Sequence, residues 1–214
     1  MTLPNETNLL PEKWVQGEHI AVIGDTGTGK TYLISRLVPL RDWVIVFRSK
    51  PDDIKFPGFR TVKTAAAMDK LYTQKILLDP RYEHQTREGA EMLEKVWQQG
   101  GWTVVIDELW YVSRLGLGPM VERLLTQGRS KHISVIIGMQ RPVEVTRFAI
   151  SQATHLFSFR LEGRDIKTVK EATTPRLIPV VDSLEGHNFA YYNRRDRIVA
   201  TGNARAIDRI LVAG

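Results

Sequence analysis

The chain has 214 residues, 43% of them hydrophobic, which is enough for one α/β domain with a sizeable core. It contains no cysteine, so disulfides and thiolate metal sites are excluded. The formal net charge is +6. Within the segment 109–160 only Glu122 and Glu144 oppose a set of basic residues, namely Arg114, Arg123, Arg129, Lys131, Arg141, Arg147 and Arg160. Such a surplus suits a polyanionic partner, although a solvated surface gives the same pattern.

Residues 1–17 are polar and show no signal-peptide pattern. No stretch of the sequence approaches the roughly 18 apolar residues that a membrane-spanning helix needs. We therefore expect a protein that does not span a membrane. Internal repeats, low-complexity tracts and Gly/Ser linkers are also missing, which favours a single domain. We expect an N-terminal extension over 1–17 and a single domain over 18–214.

Short apolar runs alternate with stretches of helical period, which predicts an α/β fold with a mostly parallel central sheet flanked by helices. The predicted strands are 19–24, 43–47, 75–78, 103–106, 134–138 and 155–159. Helices are predicted over 87–98, from Pro119 to Gly128, and after Pro142. Within 179–214, the runs 189–192 and 197–201 flank a turn and predict a C-terminal β-hairpin of undefined role.

The strongest local signal is GDTGTGKT at 24–31, directly after an apolar strand and directly before an apolar-periodic run. It matches G-x-x-x-x-G-K-[ST] in the strand–loop–helix context that a phosphate-binding loop requires. Glycines let successive N–H groups turn toward phosphate, and the helix dipole favours the same anion. The predicted nucleotide-binding residues are Gly24, Asp25, Thr26, Gly27, Thr28, Gly29, Lys30 and Thr31. Lys30 supplies a cation for the β- and γ-phosphates, and the Thr31 hydroxyl suits Mg²⁺.

A second signal is TVVIDE at 103–108, a buried strand that ends in two carboxylates. The carboxyl edge of a parallel sheet is where ligands bind in open α/β folds. Asp107 is therefore a candidate for Mg²⁺, and Glu108 for the base that orients attacking water. Downstream, SVIIGMQ predicts a strand that ends in Gln140, which either senses the γ-phosphate or caps a loop.

The order of these parts resembles the FtsK/HerA superfamily of P-loop DNA-translocating ATPases, over about residues 18–173. The discriminating segment is LLTQGRSKHISVIIGMQRP at 124–142, because the first two motifs occur in many ATPases whereas AAA+ proteins place Asn, Ser or Thr where Gln140 stands. ATHLFSFRLEGRDIKTVKEA at 153–172 resembles the final strand and helix of that superfamily. The resemblance implies a RecA-like fold, ATP and Mg²⁺ as ligands, and catalytic roles for Lys30, Glu108 and Gln140.

The resemblance also implies that Arg129 is an arginine presented to the nucleotide of a neighbouring subunit, with Arg141 and Arg160 as alternatives. A helix-terminal cation that satisfies carbonyl groups is the competing interpretation of Arg129. An arginine that acts across an interface requires an oligomer, and members of the superfamily are typically hexameric rings.

Without a membrane segment or an upstream domain, the chain is most similar to genome-packaging ATPases of tailless icosahedral viruses with an internal membrane. This implies non-sequence-specific contact with double-stranded DNA, possible contacts with capsid or membrane-vertex proteins, and a place in the host cytoplasm or the virion. Candidate DNA contacts are segment 110–118, with Arg114 beside Tyr111, and Lys131, Arg147, Arg194 and Arg195. The alternatives are another DNA pump of the superfamily (conjugative or Zot-like), a small-molecule P-loop kinase, and a nucleotide-dependent switch.

Overall fold

The structure, a computed structural model, describes residues 14–48, 56–68, 74–142 and 147–207, with the side chain of Arg147 left out. Nine strands are described: β1 Ile20–Ile23, β2 Trp43–Phe47, β3 Arg60–Val62, β4 Gln74–Leu78, β5 Thr103–Ile106, β6 Ser134–Met139, β7 His155–Ser158, β8 Asn188–Asn193 and β9 Ile198–Asn203. The described α-helices are α1 Lys30–Leu37, α2 Gln85–Gln99, α3 Leu109–Arg114, α4 Gly118–Gln127, α5 Arg147–Gln152, α6 Gly163–Ala172 and α7 Ile178–Asp182.

All nine strands form one sheet in the order β3-β4-β2-β5-β6-β1-β7-β8-β9. The pairings from β3 to β7 are parallel, and β8 and β9 add an antiparallel hairpin at one edge. The predicted α/β fold and the C-terminal hairpin are therefore confirmed. In register, Ile23 pairs with Met139, and Ile106 pairs with Ile137. The carboxyl ends of β1, β5 and β6 consequently meet at one edge of the sheet.

The central parallel strands β1, β2, β5 and β6 are buried and mostly apolar because both of their faces are covered, whereas β3 at the edge of the sheet is largely exposed. In β1, Ala21 and Ile23 pack into one hydrophobic cluster, whereas Ile20 and Val22 pack into the other, on the opposite face of the sheet. The amphipathic helices α2 and α4 bury their apolar stripes in the first cluster, and α1 buries Leu33, Ile34 and Leu37 in the second. The sheet is thus the middle layer of three.

The predicted elements agree with the structure within one or two residues, and the misses are local. Helix α4 begins at Gly118 and ends before Gly128, as the proline and glycine predict. The short strand β3 and the short helices α3 and α7 were not predicted, because three to six residues are too few to show a period. Of the helix predicted after Pro142, residues 143–146 lie outside the described part of the chain, and α5 follows from Arg147.

The tip of the C-terminal hairpin is fixed to the neighbouring helices through Arg194. Its guanidinium donates to the carbonyl oxygens of Ile150 at 3.2 Å, Ala153 at 3.1 Å and Ala172 at 2.9 Å. These carbonyls lie at the carboxyl ends of α5 and α6, where helices leave acceptors unsatisfied and attract cations. Arg194 therefore joins the hairpin to two helices.

His19 lies at the amino end of the parallel strands, directly before β1 begins and opposite to the end at which β1, β5 and β6 meet. It is buried, and its Nδ1 accepts a hydrogen bond from the Val135 backbone N–H at 3.1 Å. Burial lowers the pKa of His19 to about 4, and the charge of Arg129 acts in the same direction, against opposing effects of a Leu125 backbone hydrogen bond and of Glu18. His19 is consequently neutral in the folded protein at neutral pH, which keeps Nδ1 available as an acceptor.

We predict that acidification destabilises the protein partly through His19. Below its ordinary pKa near 6.5 the unfolded chain takes up a proton that the folded chain resists until about pH 4, so the free energy of unfolding falls as the pH drops through this window. At about pH 4 this effect lowers the free energy of unfolding by an amount on the order of 3 kcal/mol. In denaturant titrations at pH 7 and 4.5, His19→Gln should lose less stability on acidification than the unchanged protein.

The control for this measurement is His132→Asn, a change at an exposed histidine whose φ of 55° asparagine tolerates. This variant should keep the full dependence on pH. An equal loss of stability in His19→Gln and in the unchanged protein would contradict the role assigned to His19.

Candidate active site

The loop at 24–31 joins β1 to α1 at the carboxyl edge of the sheet. Gly27 and Gly29 have φ values of 80° and 107°, in the left-handed region that other residues rarely adopt. Three donors converge on the carbonyl oxygen of Asp25, namely the Thr28 hydroxyl at 2.8 Å, the Thr28 N–H at 3.4 Å and the Lys30 ammonium at 2.7 Å. The loop therefore closes around a backbone carbonyl, with the lysine ammonium inside the turn.

Thr31 and Asp107 are in direct contact, although they are 76 positions apart in the sequence. The Thr31 hydroxyl lies 3.1 and 3.0 Å from the two carboxylate oxygens of Asp107, to which it donates. A hydrogen bond to an ionised group contributes about 1.5–3 kcal/mol. The structure thus brings together the two residues that the sequence assigns to Mg²⁺.

Hydroxyl and carboxylate oxygens are the ligands that Mg²⁺ prefers, usually with substrate phosphates completing the shell. Within the described ranges, no group of three or more His, Asp or Glu side chains is arranged to hold a metal ion. The donors present therefore fit a metal that arrives with phosphate, held by Thr31 and Asp107 on the protein side.

The close approach of the β5 end to β6 depends on Gly138. A Cβ atom at this position would lie 2.1 Å from the carbonyl oxygen of Asp107 and 2.8 Å from its carbonyl carbon, which is closer than atoms can approach. The next residue, Met139, accepts a hydrogen bond from the Gly24 N–H at 3.1 Å. Strand β6 is therefore packed against both Asp107 and the start of the phosphate loop.

Glu108 and Gln140 lie at the same edge as the phosphate loop. Glu108 is buried and occupies the N-cap position of α3, directly after Asp107. Gln140 is half-buried and follows β6, the strand between β5 and β1. The sheet order therefore places Gln140 between the phosphate loop and the acid pair.

Arg129 lies at the other edge of the sheet, in a turn between α4 and β6. It is exposed, and the six residues of β6 separate this turn from the phosphate-loop edge by roughly 17 Å. Arg129 consequently cannot reach the nucleotide site of its own subunit. Arg141 and Arg160 follow β6 and β7 at the phosphate-loop edge, and Arg160 pairs with Glu162 at 2.9 Å.

The segment before β1 binds the turn that carries Arg129. The Gln16 amide donates to the His132 carbonyl oxygen at 2.8 Å and to the Trp102 carbonyl oxygen at 3.2 Å. The Gly17 N–H donates to the Ser134 hydroxyl at 2.9 Å, and a Cβ at Gly17 would lie 3.2 Å from the Arg129 carbonyl oxygen. Residues 16–19 and the turn at 128–134 are thus joined at several points.

The predicted DNA contacts fall into two groups. Trp110 is exposed on α3 with the Arg114 guanidinium 5.3 Å from its ring centroid, so both side chains face outward. By contrast, Arg194 is engaged with helix carbonyls, and Arg195 pairs with the buried Glu18 at 2.7 Å. Arg194 is therefore committed to contacts within the subunit, whereas Arg195 holds Glu18 and Asp196 with a side chain that is still 44% exposed.

Two contributors to the site were missed from the sequence. Gly138 could have been noted, since a glycine inside a strand indicates close backbone approach. His187 could not, because it lies 159 positions from the loop that it contacts, where its Nδ1 is 3.0 Å from the Thr28 carbonyl oxygen.

The parallel sheet, the glycine-rich loop that opens α1, and the acid pair at the end of β5 together define a P-loop ATPase. The described residues contain no helix that is long and apolar enough to cross a membrane. No family model matches the sequence.

The DNA packaging ATPase P9 of Enterobacteria phage PRD1 is 33% identical over 163 residues, which are 72% of this chain and 69% of P9. The chain therefore belongs to the family of viral DNA packaging ATPases that includes P9. This confirms the resemblance to genome-packaging ATPases drawn from the motifs.

The solved structures agree in fold. The genome packaging NTPase B204 of Sulfolobus turreted icosahedral virus 2, in complex with ATP-gammaS, superposes with a TM-score of 0.69 at 15% identity, covering 88% of this chain and 98% of B204. B204 of Sulfolobus turreted icosahedral virus gives 0.68 at 17% identity, with 87% and 97% covered. The pCW3 conjugation coupling protein TcpA gives 0.52 at 16%, with 92% and 65% covered.

We predict that Gly138→Ala impairs hydrolysis by displacing Asp107. The added methyl group would overlap the Asp107 carbonyl, and a shift of about 1 Å in a catalytic group can cost on the order of 100-fold in rate. The turnover number for ATP and the melting temperature should be measured together. Gly118→Ala is the control, because its nearest contact would be the Ser113 hydroxyl at an ordinary 3.6 Å. Unchanged turnover in a folded Gly138→Ala variant would contradict the prediction.

Proposed function

We propose that this chain hydrolyses ATP with Mg²⁺ in a ring of identical subunits, and thereby moves double-stranded DNA into a viral capsid. Membership of the P9 family carries this proposal, since P9 is named as a DNA packaging ATPase. The complexes of B204 with ATP-gammaS and AMPPCP support ATP as the nucleotide. Residues 18–214 would form the ATPase domain, with 1–17 as an extension.

The residues at the carboxyl edge supply the parts that hydrolysis requires. The Lys30 ammonium, now on the Asp25 carbonyl at 2.7 Å, can exchange that acceptor for β- and γ-phosphate oxygens. Glu108 is next to Asp107 and can accept a proton from the attacking water, while Gln140 can contact the γ-phosphate or the water. Because the base serves water, this arrangement favours hydrolysis over transfer to another acceptor.

A divalent cation would be held by Thr31 and Asp107, the two residues in contact at 3.0 Å. When bound, Mg²⁺ neutralises the charge on the phosphate oxygens. The role of the chain is to hold the Thr31 hydroxyl and the Asp107 carboxylate at one point, which the approach of Asp107 to Gly138 permits.

The location of Arg129 supports action between subunits. It is exposed at the edge opposite to its own phosphate loop, so the ATP that it can reach belongs to a neighbour. A guanidinium supplied in this way accelerates hydrolysis about 10³- to 10⁵-fold. We propose a ring, with six subunits as the expected number, that works with capsid or membrane-vertex proteins in the host cytoplasm or on the virion.

Helix α3 is the proposed link between DNA and hydrolysis. It begins at Leu109, directly after Glu108, and carries the exposed Trp110 and Arg114. Contact of these side chains with the DNA backbone would act on the helix whose N-cap is the proposed base. Such contacts are independent of sequence and weaken with salt.

We predict that double-stranded DNA stimulates ATP turnover and that raising the salt from 50 to 200 mM sharply weakens this stimulation.

Glu108→Gln should bind ATP but hydrolyse it about 100-fold or more slowly, because the base is lost. Glu122→Gln, a change on the exposed face of α4, is the control and should keep both activities. Turnover that is indifferent to DNA at low salt would contradict the packaging proposal. Normal turnover in Glu108→Gln would remove Glu108 from the base role.

We predict that Arg129→Ala and Lys30→Ala subunits, each inactive alone, recover part of the activity when mixed. A mixed ring contains interfaces in which an intact Arg129 faces an intact phosphate loop. The measurement is ATP turnover against mixing ratio, with mixed oligomers verified by mass. Arg123→Ala is the control, because Arg123 stacks 3.8 Å from the Trp97 ring centroid on its own subunit and should not abolish activity. Verified mixed oligomers without recovery would count against action in trans.

A further inference from the structure

The turn before the C-terminal hairpin contacts the phosphate loop. His187 is half-buried, and its Nδ1 lies 3.0 Å from the carbonyl oxygen of Thr28. A carbonyl oxygen can only accept, so Nδ1 carries the hydrogen and donates. On the same side, a Cβ at Gly29 would lie 3.3 Å from Nδ1 of His187 and 3.6 Å from Cβ of Ala204. Both ends of the hairpin thus face the peptide that joins Thr28 to Gly29.

That peptide has a fixed internal geometry. In a trans peptide the carbonyl oxygen and the following N–H point in opposite directions. A Thr28 carbonyl held by His187 therefore directs the Gly29 N–H away from the hairpin. Gly29 has a φ of 107°, and glycine imposes little barrier to rotation of its flanking peptides. The loop sequence alone consequently does not fix the direction of this N–H group.

His187 is well placed to restrain the peptide because its own backbone is fixed. Its carbonyl oxygen accepts from the Ala204 N–H at 3.0 Å, which joins the two ends of the hairpin. The turn that contains it is closed by a hydrogen bond from the Asn188 N–H to the Glu185 carbonyl at 3.1 Å. Phe189, two residues on, packs edge-on against Phe157 with ring centroids 5.3 Å apart.

We propose that His187 is a positioning residue of the phosphate site, which orients the Thr28–Gly29 peptide so that the Gly29 N–H faces the nucleotide phosphates. This rests on the proposed binding of ATP. The hairpin, whose role the sequence left undefined, then completes the phosphate loop from outside. P-loop N–H groups cradle the α- and β-phosphates, so a ligand that carries both, such as ADP, should depend more strongly on this peptide than AMP, which carries only the first.

The test compares three versions of the full chain by calorimetric titration with ADP and with AMP. His187→Phe keeps a planar ring but removes the donor, and should weaken ADP about tenfold, the size of one lost net hydrogen bond. AMP binding should change less than about twofold. His187→Asn places an amide N–H near the position of Nδ1 and should bind ADP nearly as tightly as the unchanged chain.

Steady-state kinetics give a second readout. Because the contact holds ground state and transition state alike, His187→Phe should raise KM for ATP about tenfold with kcat nearly unchanged. Thermal melts without nucleotide identify any loss of folded protein, which would scale the ADP and AMP signals together.

The outcomes separate this proposal from the proposed function. If the unchanged chain binds neither ADP nor ATP, the proposed function itself fails. If the unchanged chain binds ADP and His187→Phe binds it equally well, the role of His187 is refuted while the function stands. Equal weakening of ADP and AMP, or failure of His187→Asn to restore ADP binding, would also refute the role, since neither result follows from a lost donor to Thr28.

Discussion

The Thr31 hydroxyl and the Asp107 carboxylate meet across a complete strand, and the site depends on that contact. Thr31 follows β1, Asp107 follows β5, and β6 lies between them in the sheet. Two strands in adjacent positions could bring such groups together easily, but here the intervening strand must leave space. Gly138 provides it, because any larger residue would overlap the Asp107 carbonyl. The contact between Thr31 and Asp107, the two proposed Mg²⁺ ligands, thus depends on backbone packing as much as on their own side chains.

The candidate functional residues lie at both ends of the parallel strands, here called the carboxyl edge and the amino edge of the sheet. The carboxyl edge holds the phosphate loop, the acid pair and Gln140, while the amino edge holds Arg129 and the buried His19. The antiparallel hairpin joins the two, since its ends contact the phosphate loop through His187 and its tip is anchored by Arg194 to α5 and α6. The hairpin lies at the outer edge of the sheet in strand order, yet it has contacts at both the carboxyl and the amino ends of the parallel strands.

The sequence predicted most of the fold, and the reason is physical. Apolar runs such as TVVI in β5 and SVIIGM in β6 are buried on both faces and leave a clear signal, and the glycine-rich loop has a fixed spacing. Elements too short to show a period, such as β3, left none. Contacts between distant segments, such as His187 with Thr28, also could not be predicted, because no local pattern encodes which segments the sheet brings together. The arginines show a related limit. The sequence reveals that Arg194 carries a positive charge, but it does not predict that this charge binds three backbone carbonyls of the same subunit.

Strand β1 is held at its two ends by groups with different tasks. Its amino end follows His19 and the segment that binds the Arg129 turn, and its carboxyl end continues into the phosphate loop. It is only four residues long and lies in the middle of the sheet, so it has little freedom to stretch or bend. If Arg129 reaches the ATP of an adjacent subunit, β1 would be the short covalent connection between the segment that binds the Arg129 turn and the phosphate loop of its own subunit.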